Sequence, residues 1–159
     1  VAMARPQTEQ ISTRTKTTKG IDIVMAIDVS SSMLARDLKP NRLSALKEVA
    51  ADFIDQRPND RIGLVAFAGR PYMVCPLTLD HNWLRKRLDS LQIGLIEDGT
   101  AIGSAIVAGV NRLRDQQAKS RILILLTDGV QTGTPGEELR AGEEVRDAGV
   151  RVHHDVQHV

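Results

Sequence analysis

The chain has 159 residues, a length that suits one domain burying roughly two thirds of the surface its unfolded form exposes. Its 21 basic and 20 acidic residues leave a formal charge of +1, and no basic stripe is interleaved with aromatic residues, so nucleic acid is excluded as an expected partner. One cysteine, Cys75, excludes an intramolecular disulfide, and no apolar stretch reaches the ~18–20 residues that span a bilayer, so we expect the chain as given to be soluble.

Residues 1–20 form a candidate N-terminal extension. Their opening, VAMARPQ, is apolar and then basic, which taken alone is more typical of an ordinary terminus than of the end of a membrane helix. Residues 8–20, TEQISTRTKTTKG, are rich in threonine and charge without periodicity, which indicates a solvated linker or edge extension. The domain itself is therefore predicted over residues 21–159.

From residue 21 onward, apolar segments alternate with helical patterns, which is typical of βαβ units and a mostly parallel sheet. The segment YMVCPL contains Pro76, which suits an antiparallel edge strand. Strands are predicted over residues 21–29, 61–68, 72–77, 121–126 and 150–156. The predicted class is α/β, a Rossmann-like three-layer αβα arrangement with a mostly parallel central sheet.

Four helices are predicted between these strands. The first begins at Asn41 as N-cap and continues to residue 56, because its apolar residues recur at helical spacing. The second, from residue 80 or 81 to about 91, is predicted to face inward with Trp83, Leu84, Leu88 and Leu91. The third covers residues 101–114, and its small apolar residues predict a close approach to the sheet. The fourth covers residues 136–149.

Oxygen-bearing side chains follow the predicted strands where these end. Asp28 ends the first strand and precedes three serines, and Asp128 ends a later one. In open parallel sheets the loops at the carboxyl edge converge and bind ligands. Two carboxylates that meet there repel each other unless a cation intervenes, and oxygen ligands suit a hard cation such as Mg²⁺. The expected metal ligands are Asp28, Ser30, Ser32, Thr100 and Asp128.

This ligand set carries few negative charges, so the ion is expected to take an anionic oxygen from a partner protein's Asp or Glu. The same residues also suit ordinary turn chemistry, because serines cap helices and Asp-Gly forms turns. An enzymatic alternative is a Mg²⁺-dependent phosphotransferase that uses Asp28. Such an enzyme needs an acid/base partner and a phosphate-binding lysine, and no lysine ends a strand here, so a binding module that is not an enzyme is favoured.

Three motifs carry a family resemblance: DVSSSM (28–33), DGTAIGSAI (98–106) and LLTDGV (125–130). They resemble the metal-ion-dependent adhesion site (MIDAS) of von Willebrand factor type A (VWA) domains. More narrowly, RPNDRIGLVAFAG, CPLTLDHNWL and NRLRDQQAKSRILILLTDGV are similar to the bacterial aerotolerance (Bat) subgroup. The resemblance implies the VWA fold and Mg²⁺ or Mn²⁺ held by the five residues above, with Asp128 partly acting through water. It assigns Asp98 to loop support.

The resemblance also implies a cellular setting. Bat-like proteins have membrane helices flanking a periplasmic domain, so VAMARPQ becomes the exit of such a helix and residues 1–20 a juxtamembrane segment. It implies work with a MoxR-type AAA+ ATPase, and with other VWA proteins, in envelope stress tolerance or complex assembly.

The ending RVHHDVQHV departs from the family pattern, so we expect the domain to be incomplete at its C-terminus, with an apolar sheet face and an edge exposed. This ending also contains the histidines His153, His154 and His158. They are not expected to form a zinc site with Asp155, because neighbouring residues of a strand point to opposite faces.

Overall fold

The computed structural model describes residues 20–35, 41–114, 116, 118, 120–127 and 145–156. The strands are β1 (Asp22–Asp28), β2 (Arg61–Phe67), β3 (Pro71–Thr78), β4 (Arg121–Thr127) and β5 (Arg151–Val156). The helices are a short 3-10 helix (Ser31–Leu34), α1 (Arg42–Asp55), α2 (His81–Asp89) and α3 (Ile102–Arg114). Residues 145–148 are also helical.

The five strands form one sheet in the order β3-β2-β1-β4-β5. Central β1 pairs in parallel with β2 and β4, and β5 pairs in parallel with β4. β3 lies antiparallel beside β2 at the edge, as Pro76 predicted. All seven residues of β1 are buried, as expected of a parallel strand covered on both faces. The predicted α/β class and the antiparallel edge strand are confirmed.

Helices cover both faces of the sheet. Alternate residues of β1 point to opposite faces, so they pack against different helices. Ile23 and Met25 belong to the core cluster that contains residues of α1 and α2, and Val24 and Ala26 belong to the cluster that contains residues of α3. A Cβ atom added at Gly109 of α3 would lie 2.5 Å from Cδ1 of Leu123 in β4. This confirms the close approach that the small residues of α3 predicted.

The predicted inward position of Trp83 is wrong. Trp83 is 42% exposed, whereas Leu84 and Leu88 of the same helix are fully buried. These leucines are four residues apart and lie on the buried face of α2. Trp83 precedes Leu84 by one residue and therefore lies about 100° away from it around the helix, outside that face. The helix is shorter than predicted, and Leu91 is buried just beyond its end.

Helix starts and the last strand agree with the predictions. The Asn41 side chain accepts a hydrogen bond of 2.9 Å from the backbone N–H of Ser44 at the start of α1. The strand predicted over residues 150–156 is observed as β5. Most of the helix predicted over residues 136–149, the extension up to residue 19 and His158 lie outside the described residues.

Candidate metal centre

The first loop of the candidate site leaves the sheet at Asp28, whose side chain is 0% exposed. The ladder continues for one residue, because the N–H of Val29 donates to the carbonyl oxygen of Phe67 at 2.8 Å. The chain then turns into the 3-10 helix, where Met33 is buried and Ser32 faces solvent. A buried methionine therefore anchors the loop while its neighbouring serines stay at the sheet edge.

The side chains of this loop are held close together. Oδ1 of Asp28 accepts a hydrogen bond of 2.8 Å from the N–H of Ser30. Oδ2 of Asp28 accepts one of 2.7 Å from the hydroxyl of Thr127, at the end of β4. The hydroxyl oxygens of Ser30 and Ser32 lie 2.9 Å apart, and either one could be the donor.

This spacing fits an octahedral ion. Mg²⁺ binds six oxygens at about 2.1 Å, so adjacent ligand oxygens lie about 3.0 Å apart. The observed 2.9 Å between the two serine hydroxyls is close to that edge length. The same separation suits the hydrogen bond that links the hydroxyls, and an ion would replace that bond by two metal–oxygen contacts. The donor set of a buried carboxylate and neighbouring hydroxyls therefore fits a hard cation.

The second loop, over residues 94–100, lies against the turn between β2 and β3. The N–H of Gly69 donates to the carbonyl oxygen of Glu97, and the N–H of Ala101 donates to that of Ala68, both at 2.8 Å. A Cβ atom at Gly69 would lie 2.8 Å from the carbonyl oxygen of Asp98, so glycine is needed for this approach. Thr100 is buried here, at the carboxyl edge of β2, next to Ala101.

Asp98 joins the two loops. Its Oδ2 accepts a hydrogen bond of 2.7 Å from the Ser31 hydroxyl, and its Oδ1 accepts bonds from the N–H groups of Ser31 and Gly99 at 3.1 and 3.0 Å. These hydrogen bonds, led by that of the Ser31 hydroxyl, lower the pKa of the Asp98 carboxyl below its ordinary value. The loop-supporting position expected of Asp98 agrees with these contacts.

Of the five predicted ligands, the structure places Asp28, Ser30 and Ser32 together, and Thr100 on the adjoining loop. Asp128 lies outside the described residues, although the residue before it, Thr127, donates a hydrogen bond to Asp28. No group of three or more His, Cys, Asp or Glu side chains that could hold a metal is found in the part of the chain that the structure describes. The ligand set therefore stays a prediction.

Sequence reasoning missed two residues of this region. Thr127 is the one polar residue after the apolar run ILILL of β4, and it is fully buried. Its position just before the predicted ligand Asp128 could have drawn attention to it. Gly69 carried no such indication, because its approach to residues 97–98 arises only when the two loops meet in the fold.

The sequence matches the von Willebrand factor type A domain family over residues 23–131. The chain belongs to this family. An uncharacterized protein of Borreliella burgdorferi is 42% identical over 112 residues, which cover 70% of this chain and 33% of that protein. The chain spans between 33% and 48% of the length of the curated relatives it matches.

Solved structures of Bat-related VWA domains resemble this one. An aerotolerance-related membrane protein from Bacteroides fragilis superimposes with a TM-score of 0.78 and 31% identity, covering 85% of this chain and 66% of that one. BatB from Bacteroides thetaiotaomicron gives 0.77 and 32%, covering 85% and 65%. The Bat-like resemblance is thus confirmed. No helix within the described ranges is long and apolar enough to cross a membrane.

A third VWA structure concerns the metal. Proximal thread matrix protein 1 from the mussel byssus, which has a zinc-occupied MIDAS motif, superimposes with a TM-score of 0.73 and 25% identity. The match covers 86% of this chain and 36% of that one. A divalent cation thus occupies the MIDAS motif of another domain with this fold.

Proposed function

We propose that this VWA domain binds a divalent cation, Mg²⁺ or Mn²⁺, and uses it to bind a partner protein. Asp28, Ser30, Ser32, Thr100 and Asp128 are the proposed ligands. The observation that carries the proposal is the 2.9 Å spacing of the Ser30 and Ser32 hydroxyl oxygens beside the buried Asp28. A bound ion polarises the oxygens it contacts and attracts an anionic ligand.

The partner is proposed to supply an Asp or Glu carboxylate. Three of the five proposed ligands are neutral hydroxyls, so only Asp28 and Asp128 offset the double charge of the ion. They balance it fully only when both carboxylates contact the ion directly. Because Mg²⁺ keeps several waters in most protein sites, a coordination position remains for an incoming carboxylate oxygen. Binding of that partner then depends on the metal.

Exposed apolar side chains on the two loops of the site give this partner more to contact. Leu34, at the end of the 3-10 helix, is 55% exposed, and Leu95, in the second loop, is 62% exposed. The two loops that carry them are joined by the hydrogen bonds between Ser31 and Asp98. We propose a partner segment in which apolar residues flank the carboxylate.

The groups around Asp28 favour a binding role over the phosphotransferase alternative. Such an enzyme needs a general acid or base beside its nucleophilic aspartate and a lysine that binds phosphate. The two hydrogen bonds described for the Asp28 oxygens come from the N–H of Ser30 and the hydroxyl of Thr127, and no lysine of the sequence ends one of the five strands. We propose that Asp28 holds the ion and that the domain is not an enzyme.

The proposed setting follows from the Bat-like relatives. The aerotolerance-related protein of Bacteroides fragilis is a membrane protein. By analogy, we propose that the full-length protein is anchored in the inner membrane and that this domain lies in the periplasm. The proposed partners are a MoxR-type AAA+ ATPase and other VWA proteins, in envelope stress tolerance or complex assembly.

Calorimetric titration with Mg²⁺ tests the metal site. The wild-type chain should bind one equivalent, and the Asp28→Ala variant should lose detectable binding. Asp52→Ala is the matched control, because Asp52 is an exposed aspartate of α1. Equal affinities in the wild type and Asp28→Ala would reject the assignment.

Binding to a purified MoxR-type AAA+ ATPase from the same organism tests the partner. The interaction should be present in Mg²⁺ and lost in EDTA, and Leu34→Ser or Leu95→Ser should weaken it. Leu79→Ser serves as the control, because Leu79 is 59% exposed where β3 ends, at the opposite edge of the sheet. A complex of equal strength in EDTA would contradict a metal-dependent contact.

A further inference from the structure

Thr127 makes a buried contact between two strands at the candidate metal centre. It is the last residue of β4 and, like Asp28, is 0% exposed. Its hydroxyl donates to Oδ2 of Asp28 at 2.7 Å, across 99 residues of sequence. Since β1 and β4 are neighbouring parallel strands, this hydrogen bond joins the points at which both strands leave the sheet.

We infer that Thr127 is a positioning residue of the metal site, which fixes the orientation of the Asp28 carboxylate. This inference rests on the proposed function. The N–H of Ser30 donates to Oδ1 and the hydroxyl of Thr127 donates to Oδ2, so each carboxylate oxygen has a donor from a different segment of the chain. Two such donors fix the carboxylate plane, and an ionised carboxylate still has further lone pairs for a ligand.

The placement of a hydroxyl here has a physical reason. The five residues before Thr127 in β4, ILILL, are apolar, and Leu125 and Leu126 are buried, so a valine at position 127 would suit both the strand and its burial. The threonine differs from valine by the oxygen that donates to Asp28. Groups that orient metal ligands in this way affect metal affinity by about 10- to 100-fold.

Thr127→Val and Thr127→Ser separate this role from a merely structural one. Valine keeps the shape of the side chain and removes the donor, whereas serine keeps the donor. By calorimetry, the Mg²⁺ dissociation constant should rise about 10- to 100-fold in Thr127→Val and stay close to the wild-type value in Thr127→Ser. Urea unfolding in EDTA measures the stability of each variant separately.

Thr78→Val is the matched control, because the Thr78 hydroxyl accepts a hydrogen bond from the N–H of Asp80 at the opposite edge of the sheet. It should change stability and leave Mg²⁺ affinity unaltered. A folded Thr127→Val protein with wild-type affinity, or a Thr127→Ser protein that loses as much affinity as Thr127→Val, overturns the inference.

Two further outcomes are distinguishable. If the valine variant does not fold, Thr127→Ala replaces it, with the same expected loss and the same serine comparison. A wild-type chain that binds no Mg²⁺ overturns the proposed function, and the positioning role with it. Binding by the wild type with unchanged binding by a folded Thr127→Val protein overturns the positioning role alone.

Discussion

The two ends of β1 each bury an aspartate, and the two carboxylates meet different donors. At the amino end, Asp22 is 2% exposed and accepts hydrogen bonds from the Arg61 guanidinium, with Nε 2.8 Å from Oδ1. At the carboxyl end, the hydrogen bonds described for Asp28 come from an N–H and a hydroxyl. The charge of Asp22 is thus matched by the Arg61 guanidinium, whereas these two hydrogen bonds to Asp28 come from neutral donors.

Asp22 belongs to a structural ion pair, whereas Asp28 belongs to the candidate metal centre. Two nitrogens of the Arg61 guanidinium donate hydrogen bonds to the two carboxylate oxygens of Asp22, and this contact raises the pKa of Arg61. The Arg61 guanidinium also donates to the Gln116 side chain at 3.0 Å, which leaves the pair well satisfied. At the carboxyl end, polar groups converge from β1, β4 and two loops, as expected where a parallel sheet binds its ligand.

The largest expected difference between the two ends of β1 is in how far their variants keep the stability that Mg²⁺ adds to the folded protein. A ligand that binds only the folded state stabilises it by about 2.7 kcal/mol at a concentration 100 times its dissociation constant. Urea unfolding in Mg²⁺ and in EDTA should show this gain for the wild type and for Asp22→Asn, and no gain for Asp28→Asn. A gain in Asp28→Asn equal to that of the wild type would place the ion elsewhere.

Replacement of Asp22 should affect stability alone. In EDTA, Asp22→Asn should lose about 1–3 kcal/mol of unfolding free energy, since the Arg61 guanidinium loses its charged hydrogen-bond acceptor. The lower part of this range is expected, because the Arg61 side chain is 41% exposed and water can replace the lost contact. Calorimetry should give an unchanged Mg²⁺ affinity, and a clear loss would show that the two ends are coupled.

Most of the fold could be predicted from the sequence because its patterns are local. The apolar runs of β1 and β4 and the cap at Asn41 each indicate their own structure within a few residues. Trp83 shows where such reasoning fails. Its exposure depends on which stripe of α2 meets the sheet, and Leu84 and Leu88 decide that through contacts distant in sequence.

The candidate site was only partly predictable, for the same reason. Short motifs named Asp28, Ser30 and Ser32, and the structure brings these three together. The contact of Thr127 with Asp28 spans 99 residues, and only the pairing of β1 with β4 creates it. Asp128 remains a prediction, since it lies outside the described residues.

The smallest expected effect concerns Asp98, which joins the two loops at the carboxyl end. Asp98→Asn should weaken Mg²⁺ binding about 2- to 10-fold, because the amide nitrogen cannot accept the hydrogen bond from the Ser31 hydroxyl. Calorimetry beside Asp52→Asn, another exposed aspartate, isolates the effect of the loop contact from that of the lost charge. If Asp98→Asn and Asp52→Asn lose the same Mg²⁺ affinity, the loss comes from the removed charge and not from the contact between the loops.

The pH dependence of the same variant checks the contact independently. The hydrogen bonds from Ser31 lower the pKa of Asp98 in the folded protein, so the stability they contribute is complete above the ordinary value of 3.8 and is lost as the pH falls through the lower folded value. In EDTA, the difference in unfolding free energy between the wild type and Asp98→Asn should therefore shrink with acidification. A difference that stays constant down to the pH of acid unfolding would mean that the Asp98 charge does not hold the two loops together.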